Sequence, residues 1–212
     1  MALAVVQSKY VEVDFFETVE LDDLPTDGNL LVSWEAFREI DVDGFDPPNG
    51  FTVHPGAGVM ANLDSGRLSI REVQPGDSAT LTGYPPGVMA YVVEISGWES
   101  WEWGDALEGQ TSDPISFDVD MAGEGWALLG LIWRTPTDFA TEAIAPTGDT
   151  VELHDRKGGT SANFHPLSWV VYTPVDSDGT VAVTGDPNGA ITHTWAGEAL
   201  TSQRSICFQK SS

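Results

Sequence analysis

Positive charge and cysteine are scarce in this chain, and long apolar runs are missing. Lys and Arg number 9 against 33 Asp and Glu, a formal net charge of −24 over 212 residues. A surface this negative repels phosphates, which excludes nucleic acid and anionic membranes as partners. The acids are spread along the whole chain, as expected of a solubility surface or of adaptation to salt. The single cysteine, Cys207, excludes an intramolecular disulfide. It lies in the alternating run Ser205-Ile206-Cys207-Phe208 and is expected in or near the core. No stretch approaches the roughly 18 apolar residues of a membrane helix, so no membrane insertion is expected. Met-Ala-Leu-Ala-Val-Val at the start has no basic region and only a short apolar run, unlike a signal peptide. Helical periodicity longer than two turns is also absent.

Catalytic signatures are missing too. There is no Gly-x-Ser-x-Gly elbow, and His54, His154, His165 and His193 are scattered singly, without the converging partners that a nucleophilic triad or a zinc site needs. No enzyme activity and no cofactor are expected on these grounds. Calcium is the one metal worth naming. Asp176-Ser177-Asp178-Gly179 looks like half of an EF-hand loop, with Asp176 and Asp178 as candidate ligands, but the closing Glu is missing and a hairpin turn accounts for it equally. Asp41, Asp43 and Asp46 share one acidic loop and are similarly ambiguous.

Core-forming residues are plentiful. Hydrophobic residues make up 41% and aromatics 10%, with eight Trp, enough for a sizeable core. The 22 Gly and 13 Pro are dispersed, the spacing of many turns between short strands. The expected fold is an all-β antiparallel sandwich, jelly-roll-like, formed by one domain over residues 1–212. Its centre is Val88 to Trp98, apolar at nearly every position and broken by Glu94, which reads as a strand buried on both faces. Gly125 to Arg134 is a second strand of this kind. Strands are also expected at 3–7, 10–19, Leu30 to Phe37, Phe51 to Val53, Ile115 to Val119, Thr141 to Ala145, Val151 to His154 and Arg204 to Gln209. Arg67 to Val73 and Ala79 to Thr82, joined at Pro75-Gly76-Asp77, read as a hairpin. Leu167 to Val175, Thr180 to Thr184 and Ala190 to Trp195 read as a meander.

Two stretches of each half look alike. Asp27 to Trp34 parallels Gly123 to Gly130, and Leu68 to Gly83 parallels Leu167 to Gly185, at offsets on the order of a hundred residues, so an internal two-fold repeat is expected.

Two candidate sites follow. Glu94 is a carboxylate within an apolar strand. Burial would raise its pKa as a general acid requires, whereas a solvent-facing position or an Arg partner at a subunit contact would make it structural. The run Trp98-Glu99-Ser100-Trp101-Glu102-Trp103 reads as a Trp-rich loop. Exposed Trp faces stack on sugars and anchor protein interfaces, so Trp98, Trp101, Trp103 and Glu102 are candidate glycan- or protein-contact residues. Trp98, ending a buried strand, could equally cover the core.

Several short stretches together resemble a group of tailed-phage virion proteins: Gly28-Asn29-Leu30-Leu31-Val32, Gly50-Phe51-Thr52, Ala90 to Gly97 with its Val-Val-Glu-x-Ser-Gly ending, and Trp126-Ala127-Leu128-Leu129-Gly130-Leu131. The likeness spans most of the chain but carries no catalytic motif. It implies a β-sandwich structural protein of a virion, assembled in the host cytoplasm. The role implied is that of a minor tail or tail-fibre-associated subunit, or a capsid decoration protein. Expected partners are other virion proteins, copies of itself in a homo-oligomer, and host-surface carbohydrate during host attachment. A carbohydrate-binding module without a phage role is the alternative.

Overall fold

The computed structural model describes residues 2–13, 18–38, 45–56, 64–110, 115–119, 124–136, 145–146, 151–157, 164–175, 179–183, 185–186 and 201–210. Among these there is no helix. The first half of the chain forms β1 (Ala4–Val13), β2 (Thr18–Glu20), β3 (Leu30–Arg38), β4 (Thr52–Val53), β5 (Asp64–Glu72), β6 (Thr80–Thr82) and β7 (Val88–Ser96). The second half forms β8 (Trp98–Gln110), β9 (Ile115–Val119), β10 (Gly125–Pro136), β11 (Ala145–Pro146), β12 (Val151–Lys157) and β13 (Phe164–Val175). It ends with β14 (Gly179–Val183), β15 (Gly185–Asp186) and β16 (Thr201–Lys210).

One five-stranded sheet has the order β1-β7-β3-β5-β4, the other β8-β16-β10-β13-β12, and all pairs are antiparallel. Each half of the chain fills its own sheet, and in each order the first strand of the half is followed by its last and then its third. The two-stranded pairs follow suit, β2 with β6 and β9 with β14. A further short pair joins β11 to β15.

Side-chain alternation builds the layers. On β3 and β7 one set of residues (Leu30, Val32, Trp34, Ala36; Met89, Tyr91, Val93, Ile95) faces the second sheet and packs with Leu128, Val170, Ile206 and Phe208. The opposite set (Leu31, Phe37; Val88, Ala90, Val92) is also buried. It lies under β2, β6 and the neighbouring loops through Val19, Leu21, Leu81 and Tyr84. Both faces of Val88–Ser96 are therefore covered, as the nearly continuous apolar run predicts.

Among the described residues Trp34 is the largest side chain fully enclosed between the sheets. Its ring lies over Gly66 on β5 and Gly130 on β10, and a Cβ at either glycine would overlap it.

Several sequence expectations are corrected. The strands expected at 3–7 and from residue 10 are joined in one, Ala4–Val13, with a bulge between Val5 and Gln7. Arg67–Val73 and Ala79–Thr82 do not form a hairpin: β5 pairs with β3 and β4, whereas β6 pairs with β2, about sixty residues earlier. The Trp-rich segment is not a loop but the start of β8, which continues to Gln110. The closing strands are not a meander, because β14 leaves β13 to pair with β9. Thr141 to Ile144 and Ala190 to Trp195 lie outside the described residues.

Candidate functional site

Glu94 is fully buried on the covered face of β7. Its Oε1 accepts hydrogen bonds from the Thr26 backbone N–H (2.8 Å) and Asn29 Nδ2 (2.6 Å), and its Oε2 accepts one from Gln7 Nε2 (2.7 Å). Gln7 is itself oriented by Asp23, whose N–H donates to Gln7 Oε1 (3.1 Å) and whose carbonyl accepts from Gln7 Nε2 (3.2 Å). The turn at Thr26–Asn29 reverses through Gly28 at φ 79°, and its Gly28 carbonyl accepts the Trp98 indole N–H (3.0 Å). Of the environments weighed for Glu94, burial is the one observed, with no solvent face. The carboxylate is held by neutral donors, and it binds the turn to β1 and β7.

Trp101 and Trp103 are half-buried and Glu102 is exposed. Trp101 and Trp103 stand opposite Phe208 and Ile206 on β16 and pack on the inter-sheet core. Their rings meet edge to face at 5.1 Å. Trp103 also meets His54 edge to face at 5.0 Å. Buried His54, just after β4, accepts the Gly56 N–H at Nδ1 (3.0 Å), which makes Nε2 the protonated nitrogen donating to the Gly104 carbonyl (2.8 Å). These contacts close one edge of the sandwich. At the other edge the His154 ring is stacked between Tyr10 and Tyr91, with centroids 4.7 Å away on each side. The Trp residues and both of these histidines thus act as edge closures. His165 falls on β13, and His193 lies outside the described residues, as do Asp176 and Asp178. Among the described residues no cluster of three or more His, Cys, Asp or Glu could hold a metal ion. Cys207 is buried on β16.

Sequence reasoning missed a second buried polar group. Glu35 on β3 and Arg67 on β5 face each other across the covered side of the first sheet, Oε2 to Nη2 at 2.5 Å, and both are buried. Ser69 Oγ lies 3.5 Å from Glu35 Oε1, and Arg67 Nη1 donates to the Phe45 carbonyl (2.9 Å) while its guanidinium covers the Phe37 ring. Burial raises the Glu35 carboxyl above its usual value, and the opposing pull of Arg67 and the neighbouring serines does not cancel that rise. Burial likewise raises the Tyr84 phenol, with the Glu35 charge adding to it; the hydroxyl donates to Ser33 Oγ (3.3 Å). Strict alternation on β3 was the available signal, but it places Glu35 in solvent unless the covering layer is known.

That layer also forms a cleft of about 430 Å³ lined by Phe45, Asp46, Pro47 and Asn49 on one wall and Thr82, Gly83, Tyr84, Pro85 and Pro86 on the other. The walls are latched: Asn49 N–H donates to the Thr82 carbonyl (2.9 Å) and Asn49 Nδ2 to Thr82 Oγ1 (2.7 Å). Gly83, at φ 90°, lets them approach this closely, because a Cβ there would lie 3.0 Å from Asn49 N and 3.3 Å from Pro48 Cα. No protein-family model matches this chain, and neither does any curated protein or solved structure.

Proposed function

We propose that the chain is a structural subunit of a tailed-phage virion, a minor tail or tail-fibre-associated protein, built as a sandwich of two repeated halves. The observation that carries this reading is the use the fold makes of its most unusual residues. Glu94, Trp98, Trp101, Trp103, His54 and His154 all tie turns, edges or sheets together. A particle component needs this kind of rigidity, since it acts by presenting fixed surfaces to neighbouring subunits. The stretches behind the resemblance belong to the same framework. Thr52, Val32 and Val93 stand in one cross-strand row of the first sheet, with Ile70 between Thr52 and Val32. The repeat is supported by the matching strand orders of the two sheets and by their matching two-stranded pairs.

Mass spectrometry of density-purified particles tests the assignment. Peptides of this chain should be present at a fixed, symmetric copy number, and its gene should lie among tail genes. Polysaccharide turnover by the purified protein, abolished by one Glu or Asp substitution, would overturn it.

A further inference from the structure

The cleft between Phe45–Asn49 and Thr82–Pro86 is built rather than incidental, and we infer that it binds a neutral pyranose saccharide. Its volume, about 430 Å³, falls within the ~300–1,000 Å³ range of small-ligand sites. Its walls are fixed from beneath. Phe45 stacks on Phe37 at 6.3 Å and its carbonyl is held by Arg67, while Tyr84 is anchored through its hydroxyl to Ser33. The walls therefore do not have to be ordered by a ligand, which removes part of the cost of binding.

The lining chemistry selects the ligand. Phe45, Pro47 and Pro86 offer C–H and aromatic surface suited to the apolar face of a sugar ring. Asp46, Asn49 and Thr82 are short polar side chains at the rim. A carboxylate accepts two hydroxyl protons at once, and an amide donates one hydrogen bond while accepting another. Asp46 is the one charged group among the described lining residues, and with the net charge of −24 it disfavours acidic sugars. Among the described residues no three His, Cys, Asp or Glu gather there to hold a divalent cation. A proline-rich peptide is a poor match, because such segments dock on exposed aromatic faces. Here Tyr84 is buried, its hydroxyl turned to Ser33, and proline already forms much of the lining. This inference stands apart from the virion assignment.

The test is a screen of the full chain against an array of neutral and acidic glycans, with hits measured by titration calorimetry. At least one neutral glycan should bind. Asp46→Ala, an exposed position, should weaken that binding about tenfold or more with the thermal midpoint unchanged. Asp46→Asn should lose less, and Glu102→Gln on β8 should leave binding as it is. The inference is overturned if no neutral glycan binds, if acidic glycans or proline-rich peptides bind instead, or if Asp46→Ala leaves the affinity unaltered.

Discussion

Replacing Arg67 by Met should destabilise the protein by about 3–5 kcal/mol, the usual consequence of leaving a buried charge without its partner. The magnitude follows from the geometry. Glu35 and Arg67 side chains retain 0% and 3% of their exposure, so water cannot replace the lost guanidinium. The remaining groups near the carboxylate, the Ser69 hydroxyl at 3.5 Å and the Ser33 hydroxyl, are neutral and do not replace the lost charge. The Phe45 carbonyl also loses its donor, which contributes about 1 kcal/mol of the total. Replacing both members, Glu35→Leu with Arg67→Met, removes the stranded charge and should return stability to within about 1–2 kcal/mol of the parent. Urea unfolding followed by Trp fluorescence measures all four corners of this double-mutant cycle. A pH series adds a second readout. The folded Glu35 carboxyl binds its proton at higher pH than the unfolded one, so its contribution to stability rises as pH falls through that interval and is lost as pH climbs. Glu35→Gln should lack this slope, and Arg67→Met should steepen it. If Arg67→Met costs under about 1 kcal/mol, or if the two substitutions are additive, the pair is not the buried unit described.

Three further outcomes follow from the same packing. Glu94→Leu leaves three donors without an acceptor and should cost about 3 kcal/mol or more in urea unfolding. Glu94→Gln, which keeps the Thr26 and Asn29 bonds but sets two amide N–H groups face to face at Gln7, should cost about 1–2 kcal/mol. Gly130→Ala should destabilise the protein by about 1–3 kcal/mol through overpacking against Trp34, read as a lowered thermal midpoint; an unchanged midpoint would show that the ring does not lie where described. Trp103→Ala should cost about 2–3 kcal/mol, as befits a half-buried aromatic, without altering any glycan affinity measured for the parent.

The strands that could be read from the sequence were those whose environment is written in their own residues. Val88–Ser96 shows burial on both faces because no polar alternation interrupts it, and the start of β10, Ala127 to Gly130, shows the same. Pairing was not legible where partners are distant. Pro75-Gly76-Asp77 is a genuine turn with Gly76 at φ 91°, but a turn signal says only that the chain bends, not that its flanks pair. β6 finds its partner in β2 instead. The Trp-rich segment carried the right period, with Trp101 and Trp103 on one side and Glu102 on the other. Its acids and glycine suggested a loop, whereas an outer strand tolerates charge on its solvent face and is protected by it. Glu35 stayed hidden because the layer that buries it is assembled from segments far away in the chain. The cleft was hidden for the same reason: its walls, at Phe45 to Asn49 and Thr82 to Pro86, are far apart in the chain, and only the fold brings them together.

The packing of Trp34 has a consequence for how the sheets choose each other. The inner face of the first sheet carries a bulky protrusion, and the inner face of the second carries the hollow at Gly130 that receives it. Two first-sheet faces would set indole against indole, and two second-sheet faces would enclose a void the size of that ring. Despite their common strand order, the halves are thus a heterotypic pair, each able to recognise the other but not itself. A chain opened between β7 and β8 could exchange halves with a neighbour only in this same complementary pairing. Where many copies of the chain fold at high concentration, this one-way fit discourages mismatched cores.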